Sequence, residues 1–542
     1  MRIMNPIVSA VYVAATEPGL HDNTADLDRL QRALVTSLDD DRPLTVSYEC
    51  MTTVAREFRE AGFAGYALLN NLESNWVVGF SADKPGIIAG MALDLGTTHL
   101  EATLLNLQNG DILSEGNIEN AQINFGADIL SRIHHATAKR RQQKILAADF
   151  QDPGLDELQH VVISAINELA ETLAVRAGLK TDTIRALSVS GNTTMTHLFL
   201  GLDPFHICRE PYIPLFNRAP ILNGNQLKLA IHPMAPVWIL PSVGSYFGGD
   251  LISGILASRM AQSSKTRMLI DVGTNAEVVL GNSEWMIACA GAAGPALEGG
   301  VARMGMRAGP GAIEYVSIHP EKYELEYRTI GDVAPVGICG SGLIDLVAAL
   351  YLARIIDIRG KFRDPAVEED AARAAFMKEH LVKRDGDFCF VLTGINATGD
   401  FDEVVLEQID LDAMIRSKAA MYAILTTLIN QVGLEFSELE EITVAGAFGR
   451  HINPQHAMTL GMLPDLPLSV YRAIGNSSLR GAEKVLLDDT ARKDCEKIVS
   501  SITYLELNVN QEFMIRFSGA RFIPHTDPSL FPSVPFFKTE RL

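Results

Sequence analysis

The chain has 542 residues, of which 47% are hydrophobic and 21% charged, and its formal net charge is −20. This length predicts several domains, and the composition excludes an intrinsically disordered protein. The acidic balance argues against nonspecific nucleic-acid binding, but a local loop of backbone N–H groups can still bind a phosphate. Because no apolar run reaches the roughly 20 residues of a membrane span and no signal peptide is evident, we expect no membrane association and a cytoplasmic location.

The six cysteines are too far apart in the sequence for a local zinc knuckle or a plant-type iron–sulfur run. A disulfide framework is also not expected in so long a chain. We therefore predict buried thiols at Cys50, Cys208, Cys289, Cys339, Cys389 and Cys495.

The N-terminal part of the chain predicts a small domain that follows a loose tail. We place the tail at residues 1–21 and the small α/β domain at residues 22–88. Leucines at helical spacing and short β-rich runs predict two helices and two strands. These elements are at Leu27–Leu38, Thr52–Ala61, Gly65–Leu69 and Trp76–Phe80. A turn-forming segment, Ser81–Gly86, ends the domain.

Two loops of the same type follow, each between two short apolar strands. The first, Asp94–Thr98, interrupts the β-rich stretch Ile88–Leu107. The second, Asp271–Asn275, lies between Met268–Ile270 and Glu277–Leu280. Such a recurrence over so long a distance indicates a duplicated α/β lobe rather than a solenoid, whose repeats are much shorter.

The duplication predicts one lobe at residues 89–266 and a second at residues 267–542, the latter with a C-terminal return segment. Amphipathic periodicity predicts long helices between the strands, at Leu158–Leu173, Leu343–Ile356 and Ala413–Val432. This alternation of hairpins and helices is typical of mixed sheets packed by helices.

The two aspartate loops have the chemistry of phosphate-binding hairpins. Glycine lets the backbone approach a phosphate closely, hydroxyl and N–H groups donate to its oxygens, and the aspartate can hold Mg²⁺ directly or through water. Their candidate residues are Asp94, Gly96, Thr97, Thr98, Asp271, Gly273, Thr274 and Asn275. The alternative is a pair of ordinary tight turns, although two copies in the same context argue against it.

Three glycine-rich segments add to this pattern. Gly337–Gly342 opens a predicted helix, so its N–H groups can face an anion. Val444–Gly449 ends an apolar strand and suits close contact with a nucleoside, and Gly244–Asp250 precedes another helix. Each alone is more often a helix cap or a packing contact than a ligand site.

In this order, the two hairpins and the late glycine segment resemble the superfamily of acetate and sugar kinases, heat-shock proteins and actin. Six strings narrow the resemblance: Asn124–Asp128, Ser190–His197, Ala290–Gly300, Cys339–Asp345, Ala445–Gly449 and Gly475–Ala482. Together they resemble the reductive activators of corrinoid proteins, which use ATP to drive reduction of cob(II)alamin to cob(I)alamin on a partner. The resemblance covers about residues 22–535.

The resemblance implies an α/β protein with a two-lobed actin-like ATPase fold, in which duplicated ribonuclease H-like lobes follow a small α/β domain similar to the family's middle domain. It implies that Asp94 and Asp271 position Mg²⁺ and the attacking water, and that Glu277 orients water unless it is simply an ion-paired strand residue. Asp250 is a weaker metal candidate, with helix capping as its alternative. The implied nucleotide contacts are Gly96, Thr97, Thr98, Gly273, Thr274, Asn275, Gly340, Ser341, Gly342, Gly446 and Gly449.

Two features depart from the family's pattern. Typical activators begin with a 2Fe–2S ferredoxin-like domain, whose cysteine pattern does not occur in these 542 residues, and Ala276 replaces a usual glycine. We therefore expect no Fe–S cluster in this chain and electrons from a separate ferredoxin or flavoprotein. The expected partner is a corrinoid protein or its methyltransferase, and a homodimer is possible. A small-molecule kinase acting on a carboxylate or sugar and a non-hydrolysing nucleotide-binding scaffold remain the alternatives.

Overall fold

The computed structural model of the protein describes residues 5–38, 45–72, 76–139, 152–273, 276–291, 302–384, 386–393, 404–507 and 510–537. The chain divides into two compact units. The first comprises Met1–Ala257 and Ser477–Ser500, and the second comprises Ser258–Asn476 and Ser501–Leu542. The C-terminal return therefore places Ser477–Ser500 in the first unit. Among the described helices, none has the length and apolarity that crossing a membrane requires.

The first unit contains a small four-stranded sheet with the order β1-β3-β4-β2. Its strands are β1 (Val8–Ala14), β2 (Thr45–Val46), β3 (Ala64–Asn70) and β4 (Trp76–Ser81), and its helices are α1 (Asp26–Leu38) and α2 (Met51–Glu60). The expected tail at residues 1–21 is wrong at β1, which pairs antiparallel with β3 along its whole length. The strand is not evident from the sequence pattern, because β1 lies at the sheet edge and only two of its seven residues are buried.

A larger six-stranded sheet follows in the same unit, with the order β7-β6-β5-β8-β10-β9. Its strands are β5 (Ala89–Leu95), β6 (His99–Asn106), β7 (Ile112–Glu119), β8 (Ile184–Gly191), β9 (Leu222–Asn223) and β10 (Pro236–Ile239). The helices are α3 (Ile129–Ala136), α4 (Pro153–Arg176), α5 (Thr193–Leu200), α6 (Gly249–Ser258), and, after the return of the chain, α12 (Ser477–Leu487) and α13 (Asp489–Ser501). Leu158, Val162 and Ile166 of α4 share a buried core with Met91 and Leu93 of β5.

The second unit is built on a sheet with the order β21-β20-β11-β12-β13-β22. These strands are β11 (Arg267–Val272), β12 (Ala276–Gly281), β13 (Met286–Gly291), β20 (Glu441–Ala445), β21 (Tyr471–Gly475) and β22 (Ile502–Tyr504). Two small sheets consist of β14 (Ala312–Ile318), β15 (Leu325–Thr329) and β16 (Gly337–Ile338), and of β17 (Leu381–Arg384), β18 (Asp387–Val391) and β19 (Val405–Glu407). The helices are α7 (Gly340–Leu352), α8 (Ala371–His380), α9 (Gln408–Gln431), α10 (Gly446–His451), α11 (Pro454–Leu460) and α14 (Gln511–Gly519).

Five strands of each large sheet share one topology. In each, three consecutive strands form an antiparallel meander, β5-β6-β7 in the first unit and β11-β12-β13 in the second. The first strand of each meander then pairs in parallel with a later strand, β8 or β20. A further parallel strand, β10 or β21, extends each sheet. The predicted duplication of an α/β lobe is thus confirmed at the level of strand order.

The predicted long helices are also present, as α4, α7 and α9. Helix α4 ends before Gly178, which has a φ of +68°, a backbone conformation that favours glycine at a helix end. All six cysteines are free thiols. Five of them are buried as predicted, whereas Cys208 is only half-buried.

Candidate functional site

The first aspartate hairpin joins β5 to β6. Asp94 lies one residue before the end of β5, opposite Glu101 of β6, so both carboxylates are on the same face of the sheet. Glycine is required at position 96, because a Cβ atom there would lie 2.4 Å from the His99 carbonyl oxygen. The loop therefore keeps a compact backbone that a side chain at Gly96 would displace.

A line of buried hydroxyl groups ends at Asp94. The Ser478 hydroxyl on α12 donates to Asp94 Oδ1 at 2.6 Å. Ser190 Oγ lies 2.8 Å from Ser478 Oγ and 2.9 Å from Ser253 Oγ. Since a hydroxyl has one proton to donate, Ser478 must accept from Ser190, and Ser190 in turn from Ser253. The donor direction along the line is thereby fixed towards the carboxylate.

Three further side chains hold the loop itself. Asn120 Nδ2 donates to the Gly96 carbonyl at 2.9 Å, and Arg132 Nη2 donates to the Thr97 carbonyl at 2.6 Å. Asn192 Nδ2 lies 3.2 Å from Thr97 Oγ1, to which it donates. Asn192 also caps α5, accepting from the Met195 N–H. The predicted candidate Thr97 is therefore anchored through both its carbonyl and its hydroxyl.

The second hairpin joins β11 to β12. Asp271 lies opposite Glu277, the same arrangement as Asp94 and Glu101 in the first unit. Gly273 directly follows β11, while Thr274 and Asn275 lie outside the described residues. The sequence pattern indicated Glu277 but not Glu101, because Glu101 follows Asp94 by seven residues whereas Glu277 follows Asp271 by six.

The late glycine segment lies beside Asp271. Gly446 starts α10 with a φ of +80°, and a Cβ atom there would lie 2.9 Å from Asp271 Oδ1 and 2.8 Å from the Val272 carbonyl oxygen. At Gly449, a Cβ atom would lie 2.5 Å from the Val444 carbonyl oxygen. These two candidates thus hold α10 close against β20 and bring its first residue next to the second aspartate.

The candidates at the start of α7 pack closely against β14. The Ser341 hydroxyl donates to the Glu314 carbonyl at 3.0 Å, and a Cβ atom at Gly342 would lie 2.2 Å from the Ile313 carbonyl oxygen. Gly340, Ser341 and Gly342 are all buried. Ser341 and Gly342 thus allow α7 to pack closely on β14.

Asp250 lies in the first turn of α6, where its Oδ1 accepts the Leu251 N–H at 2.9 Å. It is therefore inside the helix, one residue past its start, rather than at the expected capping position. Within the described ranges, no three His, Cys, Asp or Glu side chains are grouped as a metal cluster.

The first hairpin suits an anionic ligand. Neither the Thr97 N–H nor the Thr98 N–H donates a hydrogen bond to any residue that the structure describes. Two adjacent N–H donors without an acceptor among the described residues, in the same hairpin as the Asp94 carboxylate, match the needs of a phosphate with its Mg²⁺ ion. The residues present therefore fit a nucleotide phosphate at this loop.

Three family models match the chain in succession. They are described as the RACo linker region, the RACo middle region, and the C-terminal domain of RACo, the ASKHA domain, and they match residues 2–83, 89–263 and 265–535. The small α/β domain, for which we expect similarity to the family's middle domain, instead lies in the range of the linker region. The middle region instead matches the first large lobe.

Two curated proteins and one solved structure are similar over most of the chain. The corrinoid activation enzyme RamQ of Eubacterium limosum is 32% identical over 517 residues, which cover 94% of this chain and 82% of that protein. A Co(II) methylated amine-specific corrinoid protein reductase of Methanosarcina barkeri is 22% identical over 447 residues, which cover 76% of this chain and 73% of that protein. A solved reductive activator for corrinoid, iron-sulfur protein matches with a TM-score of 0.84 and 37% identity, covering 98% of this chain and 81% of that one.

Proposed function

Because this chain belongs to the family of reductive activators of corrinoid proteins, we propose that it binds and hydrolyses ATP to activate a corrinoid protein for reduction. The observation that carries the ATP part is the first hairpin, which contains Asp94 and two N–H groups, those of Thr97 and Thr98, that have no acceptor among the described residues. The corrinoid part is carried by the similarity to RamQ over 94% of the chain.

The first hairpin would hold a phosphate of the nucleotide. Thr97 and Thr98 would donate to phosphate oxygens through their N–H groups, and Asp94 would hold Mg²⁺ directly or through water. Asp271 is the corresponding Mg²⁺ candidate of the second unit. Bound Mg²⁺ would neutralise phosphate charge and orient the phosphate that is transferred to water. Gly446 would leave room beside Asp271, because a side chain there would meet the carboxylate.

We propose that the electrons come from a separate ferredoxin or flavoprotein. The described residues hold six free thiols, five of them buried and widely separated in sequence, an arrangement unsuited to an iron–sulfur cluster. ATP can favour reduction only if the corrinoid partner binds the nucleotide-bound and nucleotide-free states with different affinity. The role of this chain is then to change the partner's conformation while another protein delivers the electron.

The test combines the purified chain with a cob(II)alamin protein, a low-potential reductant and MgATP, and follows the corrinoid absorption spectrum. We expect conversion to cob(I)alamin to depend on ATP and to stop when ADP replaces it. Free phosphate measured in the same mixture separates an ATPase from a non-hydrolysing scaffold. An absence of any ATP-dependent spectral change with several corrinoid partners would refute the proposal.

A further inference from the structure

Arg132 is a fully buried arginine next to the first hairpin. Its Nε donates to the Gly126 carbonyl at 2.9 Å, and its Nη1 lies 3.2 Å from Gln122 Oε1 and 3.3 Å from Met195 Sδ. Burying a charged group is costly unless its donors are satisfied, and here they are directed at fixed acceptors. The guanidinium therefore has a set orientation before any ligand arrives.

The carbonyl groups of Gly96, Thr97 and Thr98 all accept hydrogen bonds from Asn120 or Arg132. Asn120 Nδ2 holds the Gly96 carbonyl, Arg132 Nη2 holds the Thr97 carbonyl, and the Asn120 backbone N–H donates to the Thr98 carbonyl at 2.8 Å. Three successive peptide groups are thus fixed by two residues, both of which have no exposed surface.

Because peptide groups are planar, these bonds to the carbonyls also fix the direction of the neighbouring N–H groups. In a trans peptide, the carbonyl of one residue and the N–H of the next point in opposite directions. Holding the Gly96 carbonyl therefore directs the Thr97 N–H away from Asn120, and holding the Thr97 carbonyl directs the Thr98 N–H away from Arg132. These are the two N–H groups that have no acceptor among the described residues.

We propose that Arg132 and Asn120 are positioning residues, which orient the Thr97 and Thr98 N–H groups for a nucleotide phosphate without touching it. The inference rests on the proposed function, since the anion it serves is that of ATP. It also gives a role to the Asn124–Asp128 string: Gly126 supplies an acceptor for the Arg132 side chain, and Asp128 caps the helix that carries it. A Cβ atom at Gly126 would lie 2.8 Å from the Arg132 backbone nitrogen, so the string also needs glycine there.

The test compares Arg132→Met with Arg492→Met in the full-length protein. Arg492 is a matched control, because it is also buried in the first unit and donates to two backbone carbonyls, those of Val485 and Asn5. Calorimetric titration with MgATP should give a dissociation constant about tenfold higher for Arg132→Met, and within twofold of wild type for Arg492→Met. Thermal unfolding of both variants measures the loss of stability that they share.

A second variant covers the case in which Arg132→Met does not fold. Asn120→Ser keeps a hydroxyl acceptor for the Gln122 N–H but cannot reach the Gly96 carbonyl. We expect it to weaken ATP binding about threefold. Millisecond hydrogen exchange should show that ATP protects the Thr97 and Thr98 amides in the wild type and protects them less in Asn120→Ser.

The outcomes distinguish the two proposals. If the wild-type protein binds MgATP and the Arg132 and Asn120 variants bind it as tightly as Arg492→Met does, the positioning role is refuted while the proposed function stands. If the wild-type protein does not bind MgATP, the proposed function itself is refuted. Weaker ATP binding in both variants, at a stability similar to that of the control, supports the positioning role.

Discussion

The two aspartate hairpins share a backbone plan but differ in their surroundings. Asp94 pairs across the sheet with Ser190 of the neighbouring parallel strand, and Asp271 pairs with Ala445 at the same position. The first carboxylate therefore receives a line of hydroxyl donors that ends in Ser478, and the second lies against the backbone of α10 instead. The two units thus place the carboxylate at the same position of the sheet, but the residues that contact it differ because the neighbouring strand and helix differ.

The largest effect should come from the carboxylates themselves. Asp94→Asn and Asp271→Asn each remove a negative charge offered to Mg²⁺, so we expect ATP hydrolysis to fall about 100-fold or more in both. Asp111→Asn, in an exposed turn of the first unit, is the control and should hydrolyse ATP as the wild type does. A loss confined to one of the two hairpins would show that the duplicated aspartates have separate roles.

Gly446 provides the next largest effect, measured as the free energy of unfolding. Gly446→Ala combines an unfavourable positive φ with contacts at 2.8 Å and 2.9 Å, so we expect a loss of about 2–3 kcal/mol. The control Gly433→Ala has a φ of +68° but open space around it, and should lose about 1 kcal/mol. Equal losses in the two variants would mean that α10 can move away from Asp271 at little cost.

A smaller effect is expected from the hydroxyl line of the first hairpin. Ser478→Ala removes the donor to Asp94, a hydrogen bond to a charged group worth about 1.5–3 kcal/mol. We expect ATP turnover to fall about tenfold, because the carboxylate loses its fixed orientation. Ser253→Ala, at the far end of the same line, should change turnover less than twofold. A similar loss from both variants would indicate that the line supports packing rather than Asp94.

The smallest effect is a pH dependence at His197. Its buried ring lies with Nδ1 2.6 Å from the Thr193 carbonyl, and Nε2 accepts the Leu215 N–H at 3.2 Å, so the neutral tautomer fits. Burial lowers the pKa of His197 below its ordinary value of 6.5. The unfolded chain therefore binds the proton more readily than the folded one. The contribution of His197 to the free energy of unfolding is fully present above pH 6.5, and it decreases by up to about 1.4 kcal/mol per pH unit as the pH falls from 6.5 to the pKa of the folded state.

Denaturant unfolding between pH 5 and pH 7.5 tests this prediction. His197→Gln should unfold with a shallower pH dependence than the wild type in that window, because glutamine does not titrate. Hydrogen exchange should place the acid-induced loss of protection in the first unit, around α5. Parallel pH profiles for the two proteins would contradict the assignment.

Much of the fold was predictable from local patterns. The apolar strands on either side of Asp94 and Asp271 predicted the hairpins, and the 3.6-residue periodicity of Leu158–Leu173 predicted α4. Strand β1 was missed because an edge strand with few buried positions has weak alternation. The contacts of the candidate residues Ser341 and Gly342 with β14 were not predictable, because the sequence order does not reveal which strand a helix packs on.

The sequence alone determined that two glycine-containing aspartate loops exist, because a strand, a tight turn and an aspartate are all local features. Only the tertiary structure decided what surrounds the first loop. Asn120, Arg132, Asn192 and Ser478 come from four separate segments, and hydrogen bonds between residues as far apart as Asp94 and Ser478 leave no periodic signal in a single chain. Their convergence follows from the packing of helices on the sheet, which sets long-range contacts that neither composition nor spacing encodes.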